Sequence, residues 1–224
     1  MHIGMIGGIG VAATDLYYRG LEAEMRRRGA PLDLTIVHAD AATLLKHFLA
    51  KDDAAQVAIY LRLTERLKAA GAGCVAVTSI GGHFCIDAFK PVSPLPVIDI
   101  RTTIAERLAR DGVQRLGILG TNTAMRTGLY GHLSGLQVIA PPEDRIETVH
   151  QAYVDMALSG AVTEAQRSVF FDEGARMVEQ GAEAVLLGGT DLFLAFDGQD
   201  PGFPVVDGAL IHVDALADLA SGGG

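Results

Sequence analysis

Tryptophan is absent from this chain and cysteine nearly so: Cys74 and Cys85 are the only two in 224 residues. Neither their number nor their spacing makes a disulfide framework or a paired zinc-ligand pattern, so a reducing, cytoplasmic setting is expected. Basic residues are scarce as well. Eighteen Lys and Arg stand against 27 Asp and Glu, a formal charge of -9. Such a field repels phosphate polymers and anionic lipid surfaces, which argues against nucleic acid and membrane as partners. No apolar run approaches the ~20 residues needed to cross a bilayer. The opening MHIGMIGGIG has no basic lead and is broken by glycines, so it does not read as a secretory signal, and a soluble protein is expected. The tail SGGG at 221–224 carries no weight. What is present is a chain 49% hydrophobic and 20% charged, inside the globular range and long enough for one large domain or two small ones.

Short aliphatic runs alternate with longer amphipathic ones. Segments 3–6, 34–37, 74–78, 97–98, 115–119, 137–139, 184–187 and 205–206 are short and apolar, as strands covered on both faces should be. Segments 12–28, 54–70, 102–110, 146–158 and 163–180 carry helical spacing, with Gly29, Gly71 and Gly181 as C-terminal stops. This order predicts an α/β fold with parallel sheets flanked by helices.

The second half also repeats the first. HIGMIGG around Gly4 echoes RLGILGT around Gly117, GAGCVAVTSIGG from Gly71 echoes GAEAVLLGGTDL from Gly181, and LPVIDI around Asp99 echoes FPVVDG around Asp207. Three matches in one order, at offsets drifting from 113 to 110 to 108, point to duplication. Two pseudo-symmetric α/β lobes are expected, 1–98 with 208–224 and 99–207, with an active-site cleft between them. Ligands of open α/β sheets bind at the carboxyl ends of strands, so 7–10, 78–83, 120–123 and 188–191 would line that cleft, with Ser79 and Gly189 facing each other.

This arrangement resembles the aspartate/glutamate racemase superfamily from end to end. The likeness rests on GGIGVAAT at 7–14, LKAAGAGCVAVTSIGGH at 67–83, LPVIDI at 95–100, LGILGTNTAMRTGLY at 116–130, PPEDRIETVHQAY at 141–153, GAEAVLLGGTDL at 181–192 and PVVDGALIHVDAL at 204–216. It implies a cofactor-independent isomerase of the amino-acid racemase type. Members racemise with two cysteine thiols on opposite faces of the substrate Cα, one abstracting the proton and the other returning it. At the first of these places a Cys-Asn-Thr-Ala-His signature reads Ser79, Ile80, Gly81, Gly82 and His83 here. At the second, Leu-Gly-Cys-Thr-Glu reads Leu187, Gly188, Gly189, Thr190 and Asp191. The two-thiol chemistry therefore does not carry over. A serine hydroxyl needs an adjacent base before it acts, and glycine has no side chain.

Other groups near these motifs are the candidates for acid/base work: Ser79, His83, Asp191 and Cys85. A free cysteine such as Cys85 is often only a small buried hydrophobe, a loop histidine only a backbone partner, and an aspartate such as Asp191 only a first-turn carboxylate. Substrate binding falls to the glycine-rich turns at Gly8, Gly81, Gly82 and Gly189, to hydroxyls of Thr14, Thr121, Thr123 and Thr190, and to Asp40 at a strand end. The basic residue that family members often carry after the second-half helix is replaced by Ala157, Leu158 and Ser159, which puts an aspartate-like second carboxylate in doubt. The expected partners are a small carboxylate substrate and a second copy of the chain. Two other readings stand beside this one. The chain is a catalytically inactive homologue that binds a small carboxylate, or Gly8, Gly10 and Ala13 form a dinucleotide-binding G-x-G-x-x-[GA] turn with Asp40 as the ribose acid.

Overall fold

The protein is described from a computed structural model covering residues 1–222. Gly223 and Gly224, which end both the SGGG tail and the segment assigned to the first lobe, lie outside the described residues. The chain divides into two compact units, Met1–Thr103 with the segment from Ala209 onward, and Ile104–Gly208.

The first unit runs β1 (Ile3–Gly7), α1 (Val11–Arg27), β2 (Leu34–His38), α2 (Ala41–Ala50), α3 (Asp53–Ala69), β3 (Cys74–Val77), a 3-10 turn (Gly81–Cys85), α4 (Ile86–Phe89), β4 (Val97–Ile98) and the start of α5 (Ile100–Arg110). Its four strands are all parallel in the order β2-β1-β3-β4. Alternate residues of the central strands feed two cores. Ile6, Val75 and Val77 pack with Tyr60, Leu63, Leu67 and Phe89, while Ile3, Met5, Cys74 and Ala76 pack with Tyr17, Leu21, Met25 and the C-terminal helix. A strand buried on both faces has no polar side to alternate with, hence the unbroken apolar runs.

The second unit takes the rest of α5, then β5 (Arg115–Gly120), α6 (Asn122–Thr127), β6 (Gln137–Ile139), α7 (Glu143–Ser159), α8 (Glu164–Glu179), β7 (Ala184–Gly188), a 3-10 turn (Thr190–Leu192), α9 (Phe193–Phe196) and β8 (Val205–Asp207). Its sheet is again all parallel, in the order β6-β5-β7-β8. The two orders are the same topology used twice, so the echo of motifs is an echo of structure. Gly71 and Gly181, at matching places after α3 and α8, have φ of +94° and +96°, a left-handed backbone that glycine adopts without steric cost. The last helix, α10 (Gly208–Ser221), packs Ala209, Val213, Leu216 and Ala217 into the first unit's core.

The helices expected from spacing are all present with ends shifted by up to three residues. Two helices of ten residues or more lie outside those segments, α2 and α10, and the start of α2 is set by the Asp40 carboxylate accepting from the Thr43 backbone N–H at 2.8 Å.

Candidate active site

In a parallel sheet every strand ends at the same edge, so within each unit the residues that follow the strands gather there. In the first unit these are Gly8 and Thr14 after β1, Asp40 after β2, 78–83 after β3 and Asp99 after β4. Thr14 Oγ1 and Thr78 Oγ1 are 3.0 Å apart, which ties α1 to the end of β3. Ser79 is buried, and its hydroxyl accepts from the Gly82 N–H at 3.3 Å. Gly82 is close-packed, since a Cβ there would lie 2.5 Å from the Tyr60 hydroxyl oxygen, whereas Gly81 has room.

His83 is fully buried. Its Nδ1 lies 2.7 Å from the Ser79 carbonyl oxygen, which can only accept, so Nδ1 carries the proton and donates. The other nitrogen, Nε2, has no hydrogen-bond partner among the described residues and stands 4.0 Å from Asp99 Oδ1. Burial pushes His83 down to about 4, against the opposing pull of Asp99, so the imidazole is neutral at pH 7.

Asp99 anchors a buried charge cluster that the motif reading did not single out. Arg101 Nε donates to Asp99 Oδ1 at 3.0 Å and Nη2 to Oδ2 at 2.9 Å, and Arg101 also pairs with Asp87 at 2.6 Å. Lys90 Nζ reaches Asp99 at 3.2 Å from the exposed side. Burial raises the Asp99 carboxyl, but the hydrogen bonds and charge of Arg101 outweigh it and hold it well below the ordinary carboxylate range. Behind this cluster, Tyr17 donates its hydroxyl to His212 Nδ1 at 2.8 Å, and His212 Nε2 donates to the Ile98 carbonyl at 3.0 Å. The sequence signal for the cluster is Asp99 inside the otherwise apolar run 95–100 with Arg101 directly after it.

Two candidates belong elsewhere. The Cys85 thiol lies in the apolar core with Tyr60, Ile86 and Phe89 and is pushed up to about 12 by burial, a protonated thiol unsuited to acid/base exchange near neutrality. Cys74 is buried too, and burial raises it. Asp40 is an exposed helix cap whose Oδ2 accepts from both the N–H and the hydroxyl of Thr43, so capping accounts for its place at the strand end.

In the second unit the strand ends bring together Thr121 and Thr123 after β5, 189–191 after β7 and Asp207 in β8. Thr121 caps α6, its hydroxyl accepting from Ala124 N at 3.2 Å. Thr123 is half-buried and donates to Asn122 Oδ1 at 3.4 Å. Gly189, Thr190 and Asp191 are buried, and Tyr153 of α7, which no motif had picked out as functional, reaches them by donating its hydroxyl to Asp191 Oδ2 at 3.5 Å. Burial, reinforced by the Asp191 charge, holds the phenol well above its usual 10, so it is neutral at pH 7. Asn122 N donates to His150 Nδ1 at 3.4 Å, which brings a further half-buried imidazole of α7 to the start of α6.

Residues 6–216 match the family of Asp/Glu/Hydantoin racemases. The chain belongs to that family. Among solved structures it is similar to a putative Asp/Glu racemase from Yersinia pestis, with 26% identity, a TM-score of 0.85, and 98% of this chain and 99% of that one covered. It is also similar to an aspartate racemase homologue from Pyrococcus horikoshii, with 25% identity, a TM-score of 0.79 and the same coverage. An allantoin racemase from Klebsiella pneumoniae shares the fold at 18% identity, with a TM-score of 0.64 over 100% of this chain and 89% of that one. Membership explains the duplicated sheet topology, and a dinucleotide turn is not needed to account for the glycines after β1. Among the described residues no helix is long and apolar enough to cross a membrane, and no group of three or more His, Cys, Asp or Glu is placed to hold a metal ion.

The two buried histidines make the first unit acid-sensitive. Burial pushes His212 down to about 3 and His83 down to about 4, whereas in the unfolded chain each titrates near 6.5. The unfolded state therefore takes up protons first as the pH falls, and stability, complete above about pH 6.5, is lost progressively towards pH 4. At ~1.4 kcal/mol per pKa unit, His83 alone accounts for a loss on the order of 3 kcal/mol. Urea denaturation at pH 7 and pH 4.5 should show the drop, and His83→Gln should shrink it. A midpoint that stays constant over that range would contradict the assignment of neutral, buried imidazoles.

Proposed function

We propose that the protein is a cofactor-independent isomerase of racemase type. It moves a proton at the carbon next to the carboxyl group of a small amino acid or related carboxylate, and it uses groups other than thiols. The family match over residues 6–216 carries the reaction class. The site chemistry carries the rest: Ser79 and Gly189 stand where the family resemblance places its cysteines, and both cysteines of the chain are buried. In the first unit Ser79 and His83 are the candidate proton-handling and binding groups, with the imidazole tautomer fixed by the Ser79 carbonyl and its Nε2 left able to accept a proton or a hydrogen bond. In the second unit Asp191, Thr190 and Tyr153 form the corresponding cluster. Arg101 ties Asp99 to Asp87, four residues beyond His83, by charge-assisted hydrogen bonds, and Asp99 and Arg101 are positioning residues in this reading. The same reading takes the chain as a homodimer in the cytoplasm, the free cysteines being in keeping with a reducing setting.

Proton transfer at carbon is visible directly. Incubating the protein in heavy water with L and D forms of the small amino acids and of other 2-substituted carboxylates, followed by proton NMR, should show loss of the Cα–H signal for at least one of them, with inversion. Aspartate and glutamate should exchange slowly or not at all, because each positioned acid/base group is worth typically 10²–10⁴-fold and the family's pair is replaced. A panel in which ligands raise the melting temperature without any exchange would support the binding-only homologue instead.

A further inference from the structure

We propose that Tyr153 and Asp191 are a proton-relay pair, with the Tyr153 hydroxyl as the group that meets the substrate in the space a side chain at 189 would otherwise fill. The inference rests on the proton-transfer reading above and names the groups that replace one of its thiols. Gly189 has φ -144° and ψ 127°, extended backbone that any residue adopts, so no strain requires glycine there. What requires it is Tyr153. A Cβ built on Gly189 would lie 2.5 Å from Tyr153 Cε2, 2.6 Å from Cζ and 2.9 Å from the hydroxyl oxygen. The phenol has taken over the volume at the carboxyl end of β7, and it arrives from another element, α7.

It also arrives with a partner suited to acid/base work. Tyr153 is 5% exposed and Asp191 1%, and the hydroxyl donates to Asp191 Oδ2 at 3.5 Å beside Thr190. A packing tyrosine does not need a buried carboxylate, and a first-turn carboxylate does not need a phenol. Together they can pass a proton without leaving two neighbouring negative charges. As the substrate C–H bond breaks, its proton forms a bond to the Tyr153 oxygen while the hydroxyl proton passes to an Asp191 oxygen. The electron pair of the C–H bond stays on the substrate as a carbanion stabilised by its carboxyl group. The phenol ends neutral and Asp191 ends as the carboxylic acid. The reverse sequence delivers a proton to the carbanion. Proton count and charge balance at each stage, and no further reactant is needed. Long hydrogen bonds of this kind in an unliganded site tighten when substrate is bound.

The test is Tyr153→Phe, which keeps the ring that fills the space beside Gly189 and removes only the hydroxyl, together with Asp191→Asn. Cα exchange in heavy water, on whichever substrate the wild type turns over, should fall by ~10²-fold or more in each variant, in kcat rather than KM, and the double variant should be little worse than either. Circular dichroism and melting temperature close to wild type would show that folding is not the cause. Wild-type exchange with Tyr153→Phe still within about threefold would overturn the relay while leaving the proton-transfer reading intact. Absence of exchange in the wild type on every carboxylate tried would overturn both.

Discussion

Replacing Arg101→Ala is expected to cost about 3–5 kcal/mol, because it strands a buried carboxylate. Asp99 is 4% exposed and takes both of its short charge-assisted bonds from Arg101, which is itself 1% exposed. Lys90, whose side chain is 41% exposed, is left as a solvated point charge on one oxygen and does not replace a fork of donors. Arg101→Lys should recover only part of the loss for the same reason. Removing the carboxylate as well, in an Asp99→Ala/Arg101→Ala variant, should cost less than the sum of the two single changes, since the stranded charge is gone. Urea denaturation of the four proteins measures this. A loss below about 1 kcal/mol for Arg101→Ala would mean that the cluster behaves as a solvated surface pair.

Gly189→Cys is the second large effect, and it bears on whether thiols can be built into this scaffold. A side chain at 189 enters space held by the Tyr153 ring, and forcing extra atoms into a packed core costs typically 1–3 kcal/mol. In a Tyr153→Ala background the same substitution should be neutral or stabilising, because the new side chain then fills part of the space the ring vacated. The coupling between the two sites should therefore exceed about 1 kcal/mol. Ser79→Cys is the milder change, because Ser79 takes a single bond from Gly82 N and its surroundings carry a side chain already. Introducing thiols at both places through Ser79→Cys/Gly189→Cys is accordingly not expected to yield efficient aspartate or glutamate racemisation, and shortening Tyr153 is a precondition for a fair attempt. Equal costs of Gly189→Cys in both backgrounds would show that the ring yields freely.

The strands were legible because burial on both faces writes an uninterrupted apolar run: 74–78 and 184–187 announce β3 and β7, and the glycines behind their preceding helices announce the turns. The repeat was legible because both halves need the same Gly-ended helix and the same strand-end loop. What failed to show was contact between segments far apart in sequence. Tyr153 sits on the buried stripe of α7 with Ile146, Val149 and Met156, a spacing that says only that the residue points inward. Nothing local says that its hydroxyl ends 38 residues further along, at Asp191. Cys85 and Asp40 misled for the opposite reason. Each is a residue type with chemistry, placed near a functional motif, and only the core around one and the Thr43 bond to the other show that packing and capping account for them. Arg101 lay in plain view two places after Asp99, but a charge pair at the end of an apolar run reads as a helix start until its burial is known.

The proposed proton transfer at carbon uses no thiol, and a Cys74→Ala/Cys85→Ala variant puts that to the test. Both thiols lie in the first unit's cores, so the variant should fold, and its folded state can be checked by circular dichroism. Measured by proton NMR in heavy water on the substrate of the wild type, its rate of Cα exchange should stay within about twofold of the wild-type rate, because neither sulfur takes part. A folded variant whose exchange falls by the ~10²–10⁴-fold expected for loss of an acid/base group would contradict the account and return a cysteine to the chemistry.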